Sequence, residues 1–136
     1  MRIASPLLDE IVKHALEEAP NECCGVVAAR GASPPEAAAV HRARNIAASP
    51  LRFEIDAREV LELTQAIERD GYELRAIYHS HTRTAPYPSQ TDINFAANWP
   101  GVEWIIVGLD GDSPEVRAYL IENGTVAEVE LAAAVP

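Results

Sequence analysis

Hydrophobic positions along the chain switch between two rhythms, one helical and one alternating or continuous. Leu8, Ile11, Val12, Ala15 and Leu16 recur at helical spacing, opposite Asp9, Glu10, Lys13, His14, Glu17 and Glu18. Ser5 and Pro6 read as the N-cap and first position of that helix, and Pro20 stops it. His14 then falls on the polar, solvated face. Cys24 to Ala29 is an unbroken apolar run, the mark of a strand covered on both faces. Gly31 to Pro35 is a loop, and Ala38 to Ile46 a weaker strand on which His41 is structural or exposed. Leu51, Phe53 and Ile55 alternate with Arg52 and Glu54, which predicts a short strand. Asp56 and Glu59 have the form of a capping box. They head a second helix with a buried stripe of Val60, Leu61, Thr64 and Ile67, closed by Gly71.

A fourth strand follows over Leu74 to His81, ending in two histidines. Ser89 or Thr91 opens a short helix through Ile93, Phe95, Ala96 and Ala97, and Pro100-Gly101 halts it. Trp104 to Gly108 is again a buried strand. Val116 to Ile121 and Thr125 to Leu131 flank Asn123-Gly124, a strong hairpin signal, and the last residues from Ala132 to Pro136 read as a frayed end. Strands alternate with helices early and finish in a hairpin. The predicted class is therefore α/β, a mixed sheet with helices packed around it. With no repeat, linker or low-complexity tract, residues 1–136 read as one domain.

The chemistry concentrates between Ile77 and Asp92. His79 and His81 are two apart on a strand, so their side chains leave the same face, roughly 6.5–7 Å apart at Cα. Two imidazoles so placed can converge on one metal ion at about 2.0–2.1 Å. Pro86 and Pro88 stiffen the following loop, and Asp92 returns a carboxylate eleven positions after His81. Two imidazoles and one carboxylate make an open zinc site, with a position left to water. Other His-x-His chemistries want a glutamate about four residues on or an aspartate two residues on. Thr82 and Arg83 follow here, and neither pattern is met. Ser89 and Asp92 also form a capping-box pattern, a role compatible with ligation.

His79-x-His81, seven residues, Ser89, two residues and Asp92 resemble the signature of the JAMM (MPN-plus) metalloproteases. The segment Asn21 to Val27 resembles the one that carries that family's upstream glutamate. The wording from Tyr78 to Thr82 and from Tyr87 to Asp92 is closest to short bacterial members, some of which act on the C-terminus of a ubiquitin-like sulfur-carrier protein. The resemblance implies a cytidine-deaminase-like, three-layer α/β/α domain holding one zinc ion. It also implies roles that spacing alone does not assign: Glu22 as general acid–base and Ser89 as a donor to the oxyanion. The implied reaction is hydrolysis of a peptide or isopeptide bond at the end of a ubiquitin-like carrier protein, releasing cysteine or another amine. An extended tail along a sheet edge would suit so small an enzyme, since main-chain pairing gives affinity without large pockets. Two other readings remain open: a zinc hydrolase of small amides, and an inactive scaffold of the same fold that binds partners.

Composition narrows this picture. The formal charge of −10 repels phosphate backbones, which argues against nucleic acid as a partner. No apolar run approaches the ~20 residues of a membrane span, and Asp9 and Glu10 interrupt the place where a signal peptide would keep its apolar core. Adjacent Cys23 and Cys24 are too few and too close for a disulfide framework and read as small buried apolar side chains. A reducing, cytoplasmic setting is the expectation.

Overall fold

A computed structural model describes residues 1–134. Three helices and eight strands follow one another as β1 (Arg2–Ile3), α1 (Ser5–Glu18), β2 (Cys24–Arg30), β3 (Glu36–Ala43), α2 (Ala57–Arg69), β4 (Glu73–His81), α3 (Gln90–Ala96), β5 (Glu103–Gly108), β6 (Glu115–Glu122), β7 (Thr125–Val129) and β8 (Ala132–Ala133). The strands form one sheet in the order β7-β6-β5-β4-β2-β3-β1-β8. It is mixed, as expected: β4 runs antiparallel to β2 and parallel to β5.

Alternation along β4 sorts the molecule into three layers. Ala76 and Tyr78 point to the α1 side, where Ile11, Ala15, Val27, Ile105 and Val107 pack around them. Ile77 points to the opposite side, into a second core with Val26, Ile67, Ala96, Trp104, Ile106 and Tyr119. His79 shares that face. The register Ala43–Cys24–His79–Ile106 crosses four strands, so β2, β3, β4 and β5 all bring the same end of the sheet to the histidines.

Several local expectations are corrected. Ser5 is the first helical residue rather than the cap, which is Ala4 without a side-chain bond. His14 is not solvated: it is buried, and its Nδ1 lies 2.7 Å from the Tyr78 hydroxyl. Helical spacing placed it among charged neighbours, but α1 rolls far enough to bring that edge onto the sheet. Gly25 makes room for Tyr78, since a Cβ there would lie 2.3 Å from the ring. The capping box at Asp56 does not form. Glu59 accepts the Arg44 amide at 2.9 Å instead. On α2 Leu61 is exposed and Leu63 packs inward.

The weak strand lies at 36–43 rather than from Ala38 to Ile46. Residues 51–55 form no strand among the described residues, although Phe53 is buried as its alternation implied. The expected frayed end is in part β8, paired parallel to β1, and Val135 and Pro136 lie outside the described residues. Two-residue strands carry too little periodicity to be read from sequence. Asn123 and Gly124, at φ 52 and 77, make the hairpin turn foreseen for them.

Candidate metal centre

His79 and His81 emerge from the C-terminal end of β4, 0% and 5% exposed. The loop after them is fastened at several points. The Ala85 carbonyl accepts from His81 Nδ1 at 2.9 Å, which leaves His81 Nε2 as the free lone pair. Pro86 packs against β5 at Gly108, where a Cβ would stand 2.6 Å from the proline Cδ. Tyr119 of β6 donates its hydroxyl to the Pro86 carbonyl. These bonds deliver the chain to Ser89, which caps α3: its Oγ accepts the Asp92 amide at 3.1 Å, and its own amide donates to Asp92 Oδ2 at 2.9 Å. The capping box read from the sequence is real, and it is also what aims the carboxylate.

Three donor atoms meet there. His79 Nε2 and His81 Nε2 are 3.2 Å apart, and each lies 3.1 Å from Asp92 Oδ2. A tetrahedral ion with donors at 2.0–2.1 Å spaces them by about 3.3 Å, so this triangle fits a divalent ion with little adjustment. Its electrostatics are those of a site built for a cation. Burial opposes charge on Asp92, but both imidazoles and the Ser89 amide hold it well below the usual carboxylate range. Burial wins at His79 and lowers its pKa. At His81 burial also acts downward, but Asp92, the Ala85 carbonyl and Glu22 together raise it.

Glu22 stands at the mouth of β2, 4% exposed, with its ligand oxygen within 4.8 Å of the two histidine nitrogens. Burial chiefly, with Asp92 adding and His81 opposing, pushes its carboxyl up to about 8. Its Oε1 is buried without a hydrogen-bond partner among the described residues, as a group awaiting something outside the protein would be. Just beyond it, the Cys23 amide donates to buried Ser80 at 2.8 Å, tying the Glu22 segment to the strand of histidines. Burial pushes the Cys23 thiol up to about 12, which agrees with an inert apolar role. A cavity of about 470 Å³ opens beside Glu22, lined also by His14, Glu18, Arg42 and Asn45.

All five residues singled out in the sequence therefore gather at one end of the sheet. Sequence reading did not find the residues that hold them there. Tyr119 and Gly108 looked like ordinary strand positions, Phe53 like core and Asn45 like the end of a weak strand. Phe53 stacks on His79 at 4.5 Å and 28°, and Trp104 meets the same ring edge-on. Among the described residues His79 Nδ1 has no hydrogen-bond partner, so these aromatic contacts help Asp92 to orient the ring.

Three donor atoms and a buried carboxyl at one end of a mixed sheet are an arrangement suited to metal-dependent hydrolysis. The chain belongs to the Prok-JAB family, the prokaryotic homologs of the JAB domain, whose model matches residues 4–122. It is 35% identical over 128 residues to the CysO-cysteine peptidase of Mycobacterium tuberculosis, spanning 93% of this chain and 86% of the relative. A desampylase of Haloferax volcanii is 37% identical over 116 residues, 82% of each chain. A probable TtuB-protein conjugate cleaving protease of Thermus thermophilus is 40% identical over 119 residues, 87% of this chain and 74% of the relative. Among solved structures, a Desulfitobacterium hafniense protein superposes with a TM-score of 0.88 at 27% identity, over 98% of this chain and 92% of the other. A JAB1/MPN domain protein from Archaeoglobus fulgidus shares the fold, with a TM-score of 0.65 at 20% identity over 99% and 100% of the two chains.

Proposed function

We propose that this protein is a zinc peptidase that cleaves a peptide or isopeptide bond at the C-terminus of a ubiquitin-like sulfur-carrier protein, with cysteine among the amines it releases. The observation that carries the reading is the triangle of His79, His81 and Asp92 with the unpartnered Glu22 carboxyl beside it. The names of the mycobacterial, haloarchaeal and Thermus relatives support the choice of substrate. Two imidazoles and a carboxylate are a donor set suited to zinc with an open position.

Zinc held by His79, His81 and Asp92 would supply Lewis acidity and a water of pKa about 7. The remaining work falls to side chains. Glu22 takes the proton of the attacking water and hands it to the leaving nitrogen, its buried carboxyl standing within reach of the donor cluster. Ser89 uses its oxygen lone pair to cap α3, which leaves its hydroxyl hydrogen free for the oxyanion.

No helix among the described residues is long and apolar enough to cross a membrane, and the substrate class points to the cytoplasm. The test is hydrolysis of a carrier-protein adduct beside short peptides, followed by mass spectrometry, with chelated enzyme and Glu22→Ala as comparisons. Release of the adduct group, lost on chelation and in Glu22→Ala, is the expected result. Turnover of short peptides alone would redirect the reading to small amides, and undiminished turnover by Glu22→Ala would remove that residue as the base.

A further inference from the structure

The main chain of Glu22 is not held by the sheet. Its N–H donates to the Ser49 carbonyl at 2.9 Å, and its carbonyl accepts from Asn45 Nδ2 at 3.0 Å. Both polar groups of the residue thus belong to the 45–54 loop. Asn45 also closes that loop on itself. The same Nδ2 donates to the Arg52 carbonyl at 3.1 Å, while Oδ1 accepts the amides of Ala47 and Glu54, each at 3.0 Å. Every hydrogen-bonding position an asparagine side chain commonly fills is engaged. Two of these bonds fall on the residues either side of Phe53, the ring on which His79 stacks. The turn they close includes Ala48 at φ 45, a left-handed conformation that a residue with a Cβ keeps only where its surroundings insist on it.

One amide therefore joins the backbone that carries the acid–base carboxyl to the backbone that carries the wall behind a metal-binding imidazole. We propose that Asn45 is a positioning residue of the reaction, fixing the separation between the Glu22 carboxyl and the His79–His81–Asp92 cluster. The inference rests on the proposed role of Glu22. Asn45 touches neither substrate nor the donor triangle and acts only through the segments it clasps. An aspartate would keep the two bonds to Oδ1 and lose both donations from Nδ2. An alanine would lose all four.

A double-mutant cycle with Glu22→Gln tests the proposal. Asn45→Ala in the otherwise wild-type enzyme should lower kcat on the order of 10–100-fold, the usual effect of a reacting group displaced by about an ångström, with KM and bound metal little changed. In the Glu22→Gln background the same substitution should lower single-turnover cleavage by less than about twofold, since the group it positions is already gone. An equal loss in both backgrounds, or none in the wild-type background, overturns the proposal. If Glu22→Gln alone leaves cleavage intact, the role of Glu22 fails first, and the two failures are told apart. Should Asn45→Ala not fold, as circular dichroism would reveal, the cycle is run with Asn45→Asp. Amide hydrogen exchange on the unaltered protein adds a readout without any substitution. The amides of Glu22 and Glu54 should be protected well beyond exposed loop amides, and exchange as free as that of exposed loops would also overturn the proposal.

Discussion

At the scale of single residues, the site is made of groups whose charge states the fold has moved. Glu22 binds a proton in the folded state up to about pH 8, whereas an unfolded glutamate gives it up near 4.5. Its folded pKa is raised, so the folded state holds more protons across that window and stability drains away as pH rises through it. In metal-free protein, Glu22→Gln should therefore gain stability relative to wild type between about pH 5 and about pH 8. Urea unfolding of both proteins at the two pH values measures this, and a pH-independent difference would refute it. Asp92 has the opposite sign, its pKa being depressed. Its contribution is present above the unfolded carboxylate range and is lost as pH falls through the folded value. Asp92→Asn keeps an oxygen for the Ser89 amide, so α3 should survive in circular dichroism. Metal affinity, read by chelator competition, should fall by about 100-fold or more, beyond what the loss of a merely supporting group causes.

Among elements, the loop between β4 and α3 does the most with the fewest residues. Gly108 matters because Pro86 lies where its side chain would be. Gly108→Ala should push Pro86 outward and, through the Ala85 carbonyl, loosen His81. Chelator titration should then find metal held roughly 10–100-fold more weakly, the range for lost support around a ligand, with little change in the far-ultraviolet spectrum. Much at this level was legible beforehand. The donors and their shared face followed from period-two alternation at His79 and His81, and the α3 cap followed from Ser89 and Asp92. The supports were not legible, because their partners are remote in sequence: Tyr119 with Pro86, Asn45 with Glu22, His14 with Tyr78. The 51–55 segment misled for a related reason. Its alternation buries Phe53 as a strand would, but Asn45 takes the polar groups that a neighbouring strand needs. At Glu59 a tertiary acceptor role for the Arg44 amide displaced the local cap.

For the molecule as a whole, the site depends on the pairing of β2 with β4, since Glu22 at the mouth of β2 lies more than fifty residues before the segment that carries His79, His81 and Asp92. An ion that prefers the folded state stabilises all of it, by about 4 kcal/mol when present at a thousand times its dissociation constant. Chelation should accordingly lower Tm by at least several degrees, in a manner that excess zinc reverses. A calorimetric Tm indifferent to chelator would mean that the triangle holds no ion. The fastened segment over the histidines has a kinetic counterpart as well. With its donors buried and His81 held through Ala85 and Pro86, a captured ion leaves more readily when those bonds let go. Residence time and affinity then become separate quantities. Tyr119→Phe, which cuts one tether and spares every donor, should hasten release in a chelator chase more than it shifts the equilibrium, making the tyrosine a brake on exchange.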